Sequence, residues 1–166
     1  MAKSFPSHLL PISIALCLSS FISIAISHST PMYAEGKVYC DDCRVEFLTK
    51  LSSFIPGSTV KLECRSRTNN TLSYAVEGKT DEVGVYRLPV EGDHEEDICE
   101  VKLIKSGWAN CTEIFNSRPE DARVLLTNNV GVLQASRFVN PLGFKTSLAN
   151  HACGEVLQQM GFARIP

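Results

Sequence analysis

The stretch Ser58-Thr59-Val60-Lys61-Leu62-Glu63-Cys64-Arg65 decides the fold class of this chain. Val60, Leu62 and Cys64 alternate with polar residues, so an extended segment would have one apolar face and one polar face. This period of two is typical of an antiparallel strand that packs one face on a core and leaves the other in water. The chain is therefore expected to contain antiparallel sheet.

The same alternation recurs and divides the chain into short strands. Strands are predicted over residues 37–40, 58–65, 72–76, 86–90, 99–103, 123–127 and 136–139. Residues that favour turns separate them, at 55–57, 77–78, 81–84, 91–93 and 128–129. Pro89 cannot donate a ladder hydrogen bond, so its strand is expected at a sheet edge. The pattern predicts an all-β protein, a seven-stranded antiparallel β-barrel or sandwich.

The end of the chain has a different period. Apolar residues recur at helical spacing, at Cys153, Val156, Leu157 and Met160. Gly161 follows them, in the position of a C-terminal helix cap. We expect a short C-terminal helix packed against the sheet.

The start of the chain has the layout of a secretory leader. Lys3 is the only charged residue before Glu35, and it precedes an apolar stretch, residues 9–26, that ends in small residues. We expect a signal peptide over residues 1–27, with cleavage somewhere between 27 and 34, and a single β-domain over residues 35–166. An uncleaved signal anchor is the alternative, which Pro11 and several serines in the stretch disfavour.

Cleavage would leave 15 basic and 18 acidic residues, a net charge of −3, and six of the seven cysteines. No later apolar run approaches the ~20 residues that a membrane span requires. No block of lysines and arginines is present to bind nucleic acid. We expect a secreted protein of the extracellular space or cell wall, with no membrane span and no nucleic-acid partner.

The six remaining cysteines predict three disulfides, because an even number follows an export signal. They are Cys40, Cys43, Cys64, Cys99, Cys111 and Cys153. Cys64 and Cys99 both lie on the apolar face of a predicted strand, which favours a bond between them. Cys40 and Cys43 point to opposite faces of an extended chain, so each favours a distant partner. Cys111 and Cys153 are those partners, and the pattern leaves both ways of matching them open.

The spacing of Cys40 and Cys43 also occurs in redox pairs and in halves of zinc sites. A thioredoxin-type pair opens a helix after a strand in a βαβ unit, and a zinc site requires a second paired motif. The chain has neither feature. We therefore expect no metal and no cofactor.

Four segments closely resemble the Ole e I-like pollen proteins, the olive-pollen major allergen family. Residues 35–44 read Glu-Gly-Lys-Val-Tyr-Cys-Asp-Asp-Cys-Arg, against a family signature of roughly Glu-Gly-x-Val-Tyr-Cys-Asp-x-Cys-Arg. The resemblance continues through residues 57–65, 92–101 and 137–144, and the long form is similar to anther-specific, late-pollen members. One departure is Asp42, where many members carry threonine.

The resemblance implies a pairing of first with fifth, second with sixth and third with fourth cysteine. In this chain these are Cys40 with Cys111, Cys43 with Cys153, and Cys64 with Cys99. It also implies a seven-stranded antiparallel β-barrel or sandwich and a role around pollen hydration, germination and tube growth. Allergenicity is a property that some relatives share.

Two sites satisfy the acceptor pattern for N-glycosylation, Asn69-Asn70-Thr71 and Asn110-Cys111-Thr112. Asn69 is the stronger candidate because it lies in a polar loop after a strand, whereas Asn110 adjoins a cysteine whose pairing would restrict access. The acidic segment 93–97 offers carboxylates to calcium, but its spacing is not that of an EF-hand, and a hydrated turn explains it equally. Trp108 is either an exposed anchor for a partner or part of the core.

No catalytic constellation stands out. The sequence has no serine elbow and no cysteine beside a histidine. His94 and His151 would have to converge for ribonuclease chemistry, and their settings, an acidic turn and the start of the tail helix, disfavour this. We expect a non-enzymatic plant glycoprotein that binds an unknown extracellular receptor or cell-wall component. The alternative is a secreted inhibitor of extracellular hydrolases, since a disulfide-linked β-scaffold with rigid loops suits that role.

Overall fold

The computed structural model describes residues 31–114 and 122–162. The predicted signal peptide, residues 1–27, lies outside them. The described residues form ten strands and one helix: β1 Met32–Asp41, β2 Ser53–Phe54, β3 Thr59–Ser66, β4 Leu72–Lys79, β5 Val85–Val90, β6 Asp97–Lys105, β7 Cys111–Ile114, β8 Arg123–Val124, β9 Ser136–Phe138, β10 Leu142–Thr146 and α1 Cys153–Gln159. None of the helices described is long and apolar enough to span a membrane.

The first sheet has the order β4-β3-β6-β8 and is antiparallel throughout; we call it the four-stranded sheet. Its register pairs the apolar residues across β3 and β6, so that Leu62 lies opposite Val101 and Cys64 opposite Cys99. These four residues are buried. The alternation predicted for residues 58–65 and 99–103 is confirmed, and it explains why one face of this sheet lines the core.

The second sheet is built around β1, and we call it the β1 sheet. The first half of β1 pairs with β5 in the antiparallel sense and with β9 in the parallel sense. The second half pairs with β10 in the parallel sense and with β2 in the antiparallel sense, and β7 follows on the far side of β10. One ten-residue strand thus contacts four others.

The all-β class is confirmed, but the prediction of seven strands, all antiparallel and closed into a barrel, is wrong in three respects. The described strands number ten, and the two sheets do not close into a barrel. Two of the β1 pairings are also parallel. Strands β2 and β7, of two and four residues, are too short to show an alternating pattern, and β10 is buried along three successive residues rather than alternating.

Two local predictions also need correction. Residues 123–127 are strand only at Arg123–Val124, although Leu126 beyond them is fully buried. Residues 77–78, predicted as a turn, lie inside β4. A Cβ atom at Gly78 would come within 2.5 Å of Leu88 Cδ2, so the glycine lets a core leucine of β5 approach the backbone of β4. Here glycine serves close packing rather than a turn.

The predicted C-terminal helix is confirmed as α1, and Gly161 follows it with a φ of 90°. Cys153 is the one buried residue of α1. Beyond the helix, Phe162 stacks on Phe47 with ring centroids 5.1 Å apart. The helix is therefore fastened to the sheet region mainly at its start and just beyond its end.

The start of β1 bears on the range of cleavage sites. Met32 and Ala34 are buried, and Ala34 lies opposite Leu88 of β5 and Arg137 of β9. A cut after Ala34 would remove both side chains from the core, whereas a cut near Ser27 leaves the strand intact.

Candidate functional site: the disulfide framework and the outer sheet face

The loop after β1 is organised by one buried carboxylate. Asp41 Oδ1 accepts a hydrogen bond from the Cys43 backbone N–H at 3.0 Å. Its Oδ2 accepts from the N–H groups of Val45 at 2.7 Å and Glu46 at 2.8 Å. Glu46 has a positive φ of 67°, which three converging N–H groups help to hold. Asp41 thus shapes the turn that carries Cys43.

Burial and the nearby charge of Asp41 raise the pKa values of two of its neighbours. Burial, followed by the nearby charge of Asp41, raises the pKa of Asp42. Burial likewise raises the pKa of Tyr39 to about 12, with Asp41 as the second cause. This motif is therefore a structural corner with a negative charge at its centre.

Three disulfides join the cysteines in the pairing that the family resemblance implies. Cys40 is bonded to Cys111, Cys43 to Cys153, and Cys64 to Cys99. The bonds connect positions 71, 110 and 35 residues apart, and all six residues are buried. Because the bond from Cys43 reaches α1, the Asp41 corner and the helix are held together. The two matchings that the residue pattern left open are thus resolved in the structure.

The acidic segment 93–97 uses its carboxylates internally. Asp93 Oδ2 accepts from the Thr127 hydroxyl at 2.8 Å, and this bond is the main reason why the pKa of Asp93 is lowered. Asp97 Oδ2 accepts from the Ser73 hydroxyl at 2.5 Å and faces His94 Nδ1 at 2.9 Å. These two contacts, Ser73 first, lower the pKa of Asp97. The segment therefore ties the β5–β6 connection to strand β4, through Ser73, and to the loop that contains Thr127.

His94 is buried and has both ring nitrogens engaged. Nε2 lies 3.0 Å from the Glu91 carbonyl oxygen, and Nδ1 lies 2.9 Å from Asp97 Oδ2. The tilted ring of Tyr74 packs against the imidazole at a centroid distance of 5.1 Å. The Sγ atoms of Cys64 and Cys99 lie within 4.8 Å of one of its ring nitrogens, but they are bonded to each other and offer no thiolate to a metal. This cluster is a packed disulfide with a histidine beside it.

The second mature histidine lies elsewhere. His151 is exposed, two residues before α1, and no hydrogen bond or ion pair within residues 31–114 and 122–162 joins it to His94. Asp81, at the predicted turn before β5, accepts from the N–H groups of Val83 at 3.0 Å and Val85 at 2.8 Å. These residues act as turn and loop residues in the described structure, with none of the mutual contacts that acid–base catalysis requires.

Trp108 combines the two alternatives raised by the sequence. Its side chain is half-buried and packs against the core. It also lines an open groove of about 370 Å³ together with Ile104, Lys105, Thr112 and Phe144.

The two glycosylation candidates occupy different settings. Asn69 is exposed in the β3–β4 connection, where its Oδ1 accepts from the Thr71 backbone N–H at 3.1 Å and the Thr71 hydroxyl at 2.7 Å. Asn110 is also exposed, but it immediately precedes Cys111, which is fully buried in its disulfide. The asparagine at 69 therefore has more room on both sides.

The outer face of the four-stranded sheet carries a charge network. The alternating pattern of the sequence predicts only that this face is exposed to solvent. Glu63 lies at its centre, with its carboxylate oxygens 2.6 Å from Lys102 Nζ, 3.1 Å from Lys61 Nζ and 3.6 Å from Arg65 Nη2. Hydrogen bonds from Lys102 and then Lys61 lower the pKa of Glu63 to about 2. The signal was present in the alternating polar residues of β3 and β6, but the cross-strand register was needed to bring them together.

Comparison with known proteins identifies the family. The family model described as "Pollen protein Ole e 1 like" matches residues 30–161. The Olee1-like protein of Betula pendula is 44% identical over 149 residues, covering 89% of each chain. Anther-specific protein LAT52 of Solanum lycopersicum is 44% identical over 147 residues, covering 89% of this chain and 91% of the relative.

Further relatives are allergens by name. Pollen allergen Che a 1 of Chenopodium album is 40% identical over 148 residues, covering 88% of each chain. The crystal structure of the major plantain pollen allergen Pla l 1 matches with a TM-score of 0.64 at 34% identity, covering 74% of this chain and 99% of that one. Extended identity, the family model and the shared fold agree: the chain belongs to the Ole e 1-like family of pollen proteins.

Proposed function

We propose that the protein is a secreted, non-enzymatic glycoprotein that acts by extracellular binding in pollen hydration, germination or tube growth. The observation that carries the proposal is the 44% identity, over 89% of the chain, to an anther-specific protein. Proteins of the same family that are named as pollen allergens support allergenicity as a second property.

The disulfide framework supports export. All six cysteines from Cys40 onward are bonded in pairs, and such bonds form and persist in oxidising compartments rather than in the cytosol. The secretory layout of residues 1–27 leads to the same proposal.

Glycosylation is proposed at Asn69 first and at Asn110 second. The exposed β3–β4 connection around Asn69 gives an oligosaccharide room, whereas Asn110 directly precedes the buried Cys111. Secretion from plant cells followed by glycosidase treatment gives a direct test. The Asn69→Gln variant should lose a mobility shift that Asn110→Gln largely retains.

Binding rather than catalysis is favoured by the state of the titratable groups. His94 is enclosed between Asp97 and the Glu91 carbonyl, and the cysteines are oxidised. The names of the relatives describe pollen proteins and allergens. Inhibition of extracellular hydrolases remains the alternative prediction, and an inhibition screen with the oxidised protein would separate the two.

The decisive experiment is genetic. A tagged copy expressed from its own promoter should be found in the extracellular space of anthers or pollen. Plants lacking the gene should have pollen that hydrates, germinates or elongates tubes less well, and a secreted copy should restore growth. Retention of the tagged protein inside cells, or normal growth of pollen without it, would contradict the proposal.

A further inference from the structure

The outer face of the four-stranded sheet has an unusual balance of charge. The register places six cations on this basic face: Lys61, Arg65, Lys79, Lys102, Lys105 and Arg123. It places three carboxylates among them: Glu63, Glu77 and Glu100. Six of the 16 lysines and arginines and three of the 18 acidic residues therefore lie here, so the face has a formal charge of +3 while the rest of the chain has −5.

The cations form a regular array. Lys61 lies directly opposite Lys102 across β3 and β6, and Lys79 and Lys105 flank Thr59 in the next row. Rows in a sheet repeat at about 6.5–7 Å along each strand for residues on one face, and neighbouring strands lie about 4.8 Å apart. Like charges directly opposite each other destabilise a sheet, and Glu63, which pairs with both Lys61 and Lys102, offsets this repulsion.

The face is accessible even though it contains ion pairs. The exposed fraction of the side chain is 47% for Lys102, 39% for Arg65 and 50% for Arg123. Glu63 is only 12% exposed, because the cations around it cover its carboxylate. The internal carboxylates thus fix the positions of the cations while the outward surface remains positive.

We propose that this basic face binds a linear polyanion that carries carboxylates, an acidic polysaccharide of the polyuronate class. Guanidinium groups match carboxylates with two parallel N–H donors, and lysines add point charges between them. A polymer that contacts several rows at once gains affinity by multivalency, although each exposed contact is weak. This inference deepens the proposed extracellular binding function and rests on it for the presence of such a polymer.

An anionic membrane is the less favoured occupant. Peripheral membrane sites combine cations with aromatic or large apolar anchors. Leu72 and Ile98 are exposed opposite Arg65 at one end of the face, but the face has no aromatic side chain among the described residues, and three glutamates are interleaved with its cations. Separate carboxylates along a polymer can avoid these glutamates, whereas a continuous anionic surface would be repelled by them.

The test uses the full mature protein, oxidised and secreted, with polygalacturonate as the probe. Affinity is measured by calorimetry or affinity electrophoresis at two salt concentrations, since screened contacts weaken as salt rises. The double variant Lys61→Gln/Lys102→Gln should bind about tenfold more weakly, because two exposed charge contacts are lost. The matched control, Lys37→Gln/Lys50→Gln, removes the same charge off the face and should bind like the wild type.

A variant that is expected to bind more tightly keeps the test independent of folding defects. Glu63→Gln removes the central carboxylate and should bind polygalacturonate several-fold more tightly. Fully methyl-esterified polymer, which is neutral, should not bind. Equal weakening in both double variants, retained binding to the esterified polymer, or tighter binding to phosphatidylserine vesicles than to polygalacturonate would overturn the proposal.

The outcome is separable from that of the proposed function, because the polymer is tested on purified protein. If the protein is found in the extracellular space of pollen but does not bind polygalacturonate, the polyanion site alone is rejected. Binding that persists in a protein found only inside cells would instead reject the extracellular role.

Discussion

The four-stranded sheet and the β1 sheet reach a buried core by different means. In the four-stranded sheet, consecutive and nearby strands pair in the antiparallel sense, and alternating side chains fix which face is buried. In the β1 sheet, strands from opposite ends of the described chain pair with β1, partly in the parallel sense. The difference shows that a periodic pattern predicts one half of the fold, whereas the other half depends on contacts and a disulfide, Cys40–Cys111, between strands far apart in the sequence.

The largest effect on stability is expected when the disulfide within the β1 sheet is removed, and this tests the difference between the two sheets. Cys40→Ala/Cys111→Ala should lower the free energy of unfolding by about 4 kcal/mol, because the bond restricts a long loop in the unfolded chain. Both sulfur atoms are also buried, so lost packing adds to the effect. Urea denaturation of the variant and the wild type measures the loss.

The control is Cys43→Ala/Cys153→Ala. It opens a longer loop, of 110 rather than 71 residues, but Cys153 is the only buried residue of α1. We expect its main effect to be loss of hydrogen-exchange protection in α1. A larger global loss in this control than in the Cys40 variant would show that loop length outweighs position in the sheet.

The second prediction concerns the corner after β1. Asp41→Ala removes the acceptor for three backbone N–H groups and should cost about 2–3 kcal/mol of unfolding free energy. Asp41→Asn keeps the shape and one carbonyl oxygen, so it should cost less. Thermal melting of oxidised protein tests both. Equal losses in the two variants would mean that the second carboxylate oxygen, which both variants remove, matters at this position and that the shape of the side chain does not.

The third prediction moves to the four-stranded sheet. Gly78→Ala introduces a Cβ atom 2.5 Å from Leu88 Cδ2 and should lower the free energy of unfolding by about 1–2 kcal/mol through overpacking. The double variant Gly78→Ala/Leu88→Val should recover part of this loss, since it provides space for the new methyl group. A neutral Gly78→Ala substitution in urea denaturation would contradict the close packing of β4 against β5.

The smallest change in the free energy of unfolding is expected for a substitution on the basic face. Glu63→Gln should cost less than about 1 kcal/mol at pH 7, because the ion pairs of Glu63 are exposed on one side. The pKa of Glu63 is lowered from 4.5 to about 2 in the folded protein, so its contribution is present above pH 4.5 and is lost as the pH falls towards 2. The difference between wild type and variant should therefore vanish near pH 2.

Urea denaturation across this pH range provides the measurement. Glu100→Gln, beside Arg123 on the same face, serves as a control with a single ion-pair partner in the described residues. A difference between Glu63→Gln and wild type that grew on acidification would contradict the sign of the pKa shift.

The parts of the fold that sequence predicts are those in which one local rule acts alone. The alternation of β3 and β6 and the helical spacing at the chain end each depend on a few neighbouring residues. The β1 sheet escapes prediction because β2 has two residues and because parallel pairing of β10 with β1 leaves no local pattern. The predicted turn at Gly78 is wrong for the same reason, since the role of this glycine is set by Leu88 in another strand.

The candidate sites follow the same division. The pairing of Cys64 with Cys99 follows from which face each side chain occupies, while the other two pairings came from family resemblance alone. The charge network around Glu63 required the register of three strands before its members became neighbours. The residue types of this surface are evident from the sequence, but the cross-strand register that brings them together is not.

The pairing of β1 with β9 and β10 sets an order for biosynthesis. β1 is made first among the described strands, but its parallel partners lie about a hundred residues later, at Ser136–Phe138 and Leu142–Thr146. A ribosome adds some 5–20 residues per second, so the side of β1 that pairs with β9 and β10 stays open for several seconds after β1 emerges. During that interval Cys40 and Cys43 also lack their partners Cys111 and Cys153, so the β1 sheet can be completed only after nearly all of the described chain has been made.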